Sequence, residues 1–168
     1  IAHNAPFDAL HLARFTGIPV AQILANTVDT MILAHLVDPR DKLDGGTGKG
    51  PKELAAHYVD PESPDGQTAL KARFKELGFK IADGFVQIDL WDPTFVLYAG
   101  LDVILTARLI GPLMDSIAKY DLERLSDFDH QVQAMTASMT ERGMAVNLDY
   151  SCQLVEDLER QAEAAEQK

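Results

Sequence analysis

The sequence has little cysteine and few basic side chains, and both shortages exclude classes of protein. Cys152 is the single cysteine among 168 residues. The chain can therefore form neither an internal disulfide nor a cysteine-based zinc site, and we assign the thiol to helix packing. Only 15 lysines and arginines stand against 26 aspartates and glutamates. The resulting net charge of −11 argues against a broad basic face that grips duplex DNA, because phosphate binding needs clustered cations.

Long apolar runs are also missing. No stretch of about eighteen apolar residues occurs, which predicts that no segment spans a membrane. No basic segment followed by an apolar one stands at the start, so we expect a cytoplasmic protein. Apolar residues make up 46% of the chain, enough for one core and part of another. The first residue is Ile1 and not methionine, and we therefore expect a fragment of a longer chain.

Helical patterns dominate what the sequence does contain. Apolar spacing, together with glycine and proline at the ends, predicts helices over residues 4–15, 29–37, 68–77, 93–110, 113–119, 122–142 and 150–168. Pro51 suits the start of one more helix, whereas Gly111 and Pro112 suggest an end of the helix before them. Alternation over residues 85–89 is typical of a short strand.

Two short segments hold carboxylates in positions suited to chemistry. The first is Asn4-Ala-Pro-Phe7-Asp8, where an acid follows an apolar start and stands early in a predicted helix. Asparagine and aspartate are common there because they cap free backbone N–H groups and interact favourably with the helix dipole. The segment therefore has two interpretations, helix capping or a carboxylate directed into a cleft.

The second segment is Tyr98-Ala-Gly-Leu-Asp102. Four residues turn a helix by about 400°, so both side chains lie on one helical face. Apolar residues surround that face, among them Leu97, Leu101 and Ile104. A carboxylate in such surroundings is costly unless it is paired or binds a metal ion. One interpretation is a hydrogen-bonded core pair. The other is a metal-binding aspartate beside a tyrosine that orients a water molecule.

Taken in this order, Asn-x-x-Phe-Asp and Tyr-x-x-x-Asp resemble the second and third motifs of the 3′-5′ exonucleases with a ribonuclease H-like fold. Position 97 is Leu97, where the sister subclass has histidine, and the Tyr subclass is therefore indicated. Residues 28–36 and 52–58 also look like intervening segments of that family. The resemblance implies an α/β fold, of which this chain would carry the C-terminal, helix-rich part.

The segment from Met139 through Arg142-Gly143 to Val146, with the long helix after it, resembles a passage in family A DNA polymerases, the bacterial DNA polymerase I type. In that family the exonuclease passes into the polymerase domain at this point. Residues 1–120 would then be exonuclease domain, and residues 121–168 would be connecting helices at the start of the polymerase domain. The family's first motif, Asp-x-Glu, does not occur upstream of Asn4. We therefore expect half of the metal site here and no activity from the fragment alone.

The resemblance also implies roles for single residues. Asp8, Tyr98 and Asp102 would be catalytic, with Asp8 and Asp102 as carboxylates of a site for two Mg²⁺ or Mn²⁺ ions. Asn4 and Phe7 would bind the terminal nucleotide of the substrate. The reaction would remove nucleoside monophosphates from a DNA 3′ end, as proofreading does in a bacterial or phage-infected cell. The partners would be single-stranded DNA or a primer 3′ end and a covalently linked polymerase domain, without a membrane.

Two other functions stay open. RNA-processing exonucleases resembling ribonuclease D share the motifs but continue into a small helical nucleic-acid-binding domain. A non-catalytic, exonuclease-like scaffold would only support a polymerase. His3 and His35 have no partner at ligand spacing, and we assign them structural roles. The basic helix at residues 68–77 is either a solvated face or a contact to a DNA strand.

Overall fold

The structure is a computed structural model, and it describes residues 1–62 and 66–166. Its helices are α1 Ala5–Thr16, α2 Val20–Leu24, α3 Thr30–Val37, α4 Pro51–Tyr58, α5 Gly66–Glu76, α6 Ile81–Gln87, α7 Pro93–Lys119, α8 Glu123–Arg142 and α9 Leu148–Glu166. In the described ranges, β pairing is limited to one isolated parallel bridge between Ala2 and Asp29. The α/β class therefore stays a prediction, and residues 167 and 168 of the last predicted helix lie outside the described part.

Local sequence signals account for most helix ends. Gly17 takes the left-handed conformation, with φ at 74°, and ends α1. Pro51 occupies the first turn of α4. The side chain of Asn147 accepts a hydrogen bond from a backbone N–H at the start of α9, and Gly143 ends α8. The structure confirms the predicted helices over residues 4–15, 29–37, 68–77 and 122–142.

The predicted strand over residues 85–89 is wrong, because most of that segment belongs to α6. The ring of Phe85 packs edge-on against the ring of Phe74 on α5, with 5.2 Å between their centroids. Gly84 faces the same ring closely enough that no side chain would fit between the two helices. Contact with α5 thus decides the conformation of a run that is too short to show a period of its own.

The predicted end of a helix near residues 111 and 112 is also wrong. α7 continues through Pro112 to Lys119 without interruption. Proline removes one backbone hydrogen bond from a helix interior, but Leu113 and Ile117 beyond it are buried against α3 and α4. Burial of these two side chains keeps the chain helical past the proline.

Buried apolar side chains of the described residues form three clusters. The first joins α1, α2 and α8 through small side chains: Ala5, Ala9, Ala13, Val20, Leu24 and Ala137. The second joins α3, α4 and α7: Leu33, Ala34, Leu54, Leu109, Leu113 and Ile117. The third lies beside α5: Leu70, Phe74 and Ile88. α8 therefore packs on the first helices of the chain, and the predicted domain boundary between residues 120 and 121 stays a prediction.

By length and composition, α7 could cross a membrane. Length and composition do not decide whether a helix spans a membrane, and the expectation that no segment does so stays a prediction. Asp102, Arg108 and Asp115 are charged residues inside the helix, and Lys119 is its last residue. α3, α4, α5 and α8 pack along it, and 17% of its apolar stretch is buried.

α9 differs from the other long helices because none of its described residues is buried. Cys152 lies exposed on it, so the assignment of this thiol to helix packing is wrong. Leu148, Val155 and Leu158 are apolar and exposed on the same helix.

Candidate functional site

Asp8 and Asp102 line the same cavity, which has a volume of about 600 Å³. Asp8 comes from the first turn of α1 and Asp102 from the middle of α7. Both aspartates are exposed, and His3 and Thr106 lie on the same wall. The structure thus brings together two carboxylates that lie far apart in the sequence.

Tyr98 lies one turn before Asp102 on α7, and both residues line a smaller, adjoining cavity of about 240 Å³. Partial burial raises the pKa of Tyr98 to about 12, and the hydrogen bond to the Asp102 carboxylate and its negative charge add to this effect. At neutral pH the phenol is therefore a protonated hydrogen-bond donor.

The surroundings of Asp102 are more open than the sequence suggests. The expectation that apolar side chains enclose this carboxylate is wrong, because Asp102 is exposed and Leu97 and Ile104 are 59% and 50% exposed. The pair of Tyr98 and Asp102 does exist, but at the rim of a cavity instead of in a core. The cost of burying a charge therefore gives no argument for a metal ion here.

Asn4 and Phe7 present their side chains away from the core. Asn4 takes the left-handed conformation, with φ at 59°, and its side chain caps no backbone N–H of α1. Phe7 is 64% exposed and contacts His11 edge-on, with 5.0 Å between ring centroids. Side-chain capping of α1 therefore does not explain why an asparagine stands at position 4. The side chains of Asn4 and Phe7 are both accessible to solvent.

The start of α1 is capped by Asp29, which the sequence reasoning missed as a site residue. Its buried carboxylate accepts hydrogen bonds from the backbone N–H groups of Asn4 and Ala5, at 2.9 and 2.7 Å. It also accepts one from Met31 at the start of α3, at 2.9 Å. One carboxylate thus satisfies free N–H groups of two helices and sets where α1 begins relative to α3.

His3 lies on the cavity wall between these elements. Its Nδ1 is 2.9 Å from the Thr30 hydroxyl, which fits the structural role that the sequence suggests. Burial lowers the pKa of His3, while the nearby carboxylates of Asp29, Glu53 and Asp102 act in the opposite direction. His35 is exposed on α3.

Asp8 and Asp102 are suitable ligands for a hard divalent cation, but two carboxylates do not complete a cation site. Carboxylate oxygens are the ligands that Mg²⁺ and Mn²⁺ prefer, and Asp8 and Asp102 offer such oxygens from two sides of one cavity. Within residues 1–62 and 66–166, no group of three or more histidine, cysteine, aspartate or glutamate side chains is arranged to hold a metal ion. A complete cation site would therefore need further ligands.

Arg73, on the basic helix, has a structural partner on each side. Its Nε donates to the Asp92 carboxylate at 2.9 Å and its Nη1 to Glu76 at 3.0 Å. Asp92 is nearly buried and also caps the start of α7. Lys71 and Lys75 on the same helix are exposed, so a contact to a DNA strand would depend on them.

Comparisons with known proteins found similarity to two phage proteins. No family model matches the chain, and no solved structure matches it. It is similar to the DNA polymerases of Mycobacterium phage D29 and Mycobacterium phage L5. With each, it shares 31% identity over 160 residues, which is 93% of this chain and 26% of the relative.

This similarity supports a relationship to DNA polymerases. The chain spans about a quarter of the length of the two curated relatives.

Proposed function

We propose that this chain is the larger part of a 3′-5′ exonuclease domain, with the first helices of a DNA polymerase at its end. The domain would remove nucleoside monophosphates from a DNA 3′ end and so proofread the product of the polymerase. The observation that carries this proposal is the cavity lined by both Asp8 and Asp102, with Tyr98 one turn before Asp102 on α7. The names of the two phage relatives support the polymerase part.

The residues of the cavity have distinct roles in this proposal. Asp8 and Asp102 offer oxygen ligands to Mg²⁺ or Mn²⁺ ions, and Tyr98 orients a water molecule through its protonated hydroxyl. When bound, two such cations would activate the attacking water and stabilise the leaving 3′ oxygen. Asn4 and Phe7 are exposed at the start of α1 but do not line this cavity, and in this proposal they contact a terminal nucleotide that extends beyond it.

The acidity of the chain agrees with a site of this kind. A net charge of −11 repels phosphate, and the carboxylates of the cavity add to the repulsion locally. Bound cations reverse the sign of the local charge and attract the terminal phosphodiester. Binding of the 3′ end would then depend on the metal ion more than on lysine and arginine.

One specific observation favours a second candidate, a non-catalytic scaffold. The described residues contain no group of three or more potential metal ligands in one place. The exonuclease therefore requires further carboxylates, which we expect from an Asp-x-Glu motif on an apolar strand that precedes Ile1 in the polypeptide. The scaffold is the correct function if the complete gene product has no such motif.

Asp102→Ala in the complete gene product tests the proposal. We expect metal-dependent 3′ digestion of single-stranded DNA to fall by more than about 100-fold, because loss of even an outer-shell partner of a metal can cost that much. Nucleotide incorporation should be unchanged.

The matched control is Asp115→Ala, which removes another exposed aspartate of α7 and should leave digestion unchanged. Digestion that survives in Asp102→Ala would show that Asp102 is not a metal-site residue. A wild-type protein without any digestion would favour the scaffold.

A further inference from the structure

α8 holds Asp29 by two hydrogen bonds. The side-chain amide of Gln133 donates to the Asp29 carboxylate at 2.6 Å. The imidazole Nε2 of His130 accepts a hydrogen bond from the backbone N–H of Asp29 at 2.9 Å. The two residues are three positions apart on α8, which places them on one face of the helix. One face of α8 therefore contacts both the backbone and the side chain of one buried residue.

The contacts of His130 fix its hydrogen positions. Because Nε2 accepts from the N–H of Asp29, it carries no hydrogen, and the neutral ring must then carry its hydrogen on Nδ1. Nδ1 lies 2.7 Å from the carbonyl oxygen of Ser126, to which it donates. Both ring nitrogens thus have partners of the right kind, one on α8 itself and one at the start of α3.

Asp29 connects the two parts of the fold that carry the cavity aspartates. α1, with Asp8, packs on α2 and α8. α7, with Asp102, packs on α3, α4 and α5, and it also contacts α8. Asp29 joins the two sides, because it caps both α1 and α3. A shift of Asp29 would therefore move the start of α1 relative to α3 and α7.

We propose that His130 and Gln133 are positioning residues for Asp8, which hold the start of α1 in place through Asp29 so that Asp8 and Asp102 face one cavity. The inference rests on the proposed function for its catalytic consequence. Its structural part, the fixation of the start of α1, can be tested separately.

His130 and Gln133 belong to α8, which begins after residue 120. The sequence assigns that segment to the start of the polymerase domain. The exonuclease site would therefore be completed by a helix from the polymerase side of the predicted boundary. A change in the position of α8 would reach Asp8 through three residues, His130, Gln133 and Asp29.

Four variants of the complete gene product test the inference. Gln133→Met keeps the size of the side chain without its donor, and His130→Leu removes the acceptor. His130→Gln restores an acceptor at a similar reach. Gln131→Ala is the matched control, because Gln131 lies on the same helix and its side chain is exposed.

The first measurement is the dependence of 3′ digestion on Mn²⁺ concentration. Loss of outer-shell partners typically weakens metal affinity by 10- to 100-fold. We therefore expect the half-saturating Mn²⁺ concentration to rise by about tenfold in Gln133→Met and His130→Leu. KM for single-stranded DNA should change little. His130→Gln and Gln131→Ala should resemble the wild type.

The second measurement is hydrogen exchange of the backbone amides of Asn4, Ala5 and Asp29, which does not depend on activity. We expect these amides to exchange at least about tenfold faster in Gln133→Met and His130→Leu, since a loss of 1.4 kcal/mol of local stability corresponds to that factor. Amides of α5 should be unaffected, and His130→Gln should restore slow exchange.

Unchanged exchange in both loss variants would overturn the inference, whatever their activity. Faster exchange with an unchanged Mn²⁺ dependence would also overturn it, because Asp8 would then be positioned independently of Asp29. A wild type without digestion would refute the proposed function alone, and the exchange of Asn4 and Ala5 would still decide whether α8 fixes the start of α1.

Discussion

Tyr98 lies one turn before Asp102 on α7, and the Asp102 carboxylate helps to raise the pKa of the Tyr98 hydroxyl. The pair lies where two cavities meet, and Asp102 lines both of them. Asp102 is exposed, so its carboxylate oxygens are accessible to a ligand. The pair therefore leaves Asp102 able to bind a cation.

Tyr98 should lose its proton at a higher pH than an ordinary tyrosine. Its pKa is about 12 in the folded protein, compared with 10.0 for an ordinary tyrosine. A raised pKa of a neutral acid means that Tyr98 stabilises the fold fully below pH 10, and that this contribution is lost as the pH rises through 12. Burial also raises the pKa of Tyr58, so the absorbance of phenolate as a function of pH should show a late-titrating component that decreases in Tyr98→Phe.

Asp102→Asn removes one of the three causes of this shift, the negative charge. Burial is the largest cause and remains in the variant. The pKa of Tyr98 should therefore move toward 10 without reaching it. A Tyr98 that titrates as late in Asp102→Asn as in the wild type would show that the carboxylate has no effect.

Asp29→Ala should destabilise the fold severely. The buried carboxylate accepts hydrogen bonds from backbone groups of Asn4, Ala5 and Met31, and its loss leaves several donors without a partner. Each such loss costs about 1–3 kcal/mol, so we expect the free energy of unfolding to fall by about 3 kcal/mol or more. Urea denaturation measures this change, and Asp127→Ala, at an exposed position of α8, should have little effect.

Gly84→Ala should destabilise the contact between α5 and α6. A Cβ atom on Gly84 would lie 2.5 Å from the buried ring of Phe74. Overpacking of this kind costs about 1–3 kcal/mol, and exceeds the gain of about 1 kcal/mol that alanine brings to a helix interior. We expect a net loss of about 1 kcal/mol in thermal or urea unfolding.

Gly100→Ala is the matched control for the glycine prediction. Gly100 also lies inside a helix, but a Cβ atom there would meet nothing within 4 Å. The helix propensity of alanine should then raise stability by up to about 1 kcal/mol. A destabilised Gly100→Ala, or a stabilised Gly84→Ala, would contradict the packing described for these helices.

Arg73→Gln should reduce stability at neutral pH but not in acid. The hydrogen bond from Arg73 is the largest cause that lowers the pKa of the Asp92 carboxyl. A lowered carboxyl pKa stabilises the fold above the ordinary pKa of aspartate, and this contribution is lost as the pH falls through the folded value. The difference between wild type and variant in urea unfolding should therefore be present at pH 7 and shrink below about pH 4.

Lys71→Gln controls for the loss of a positive charge from α5. Lys71 is exposed, and stability should not change in this variant at either pH. Should α5 contact a DNA strand, Lys71→Gln would weaken binding of single-stranded DNA and reduce its salt dependence, whereas a solvated helix face predicts no change.

Helices whose ends are marked by local signals were predictable from the sequence. Gly17 and Gly143 mark the ends of α1 and α8, and Asn147 marks the start of α9, because capping depends on a few neighbouring residues. The shared face of Tyr98 and Asp102 was predictable for the same reason. The end suggested by Pro112 was wrong, since the burial of Leu113 and Ile117 outweighs the local effect of a proline.

The sequence by itself determined several helix ends, the acidity of the chain and the spacing of its two aspartate motifs. Only the tertiary structure decided that Asp8 and Asp102 share one cavity, that Asp102 is exposed and that Asp29 joins α1, α3 and α8. The physical reason is the distance along the sequence over which each interaction acts. Spacing and capping act over a few residues, whereas the separation of two distant side chains depends on how whole helices pack, and here that packing depends on a buried carboxylate.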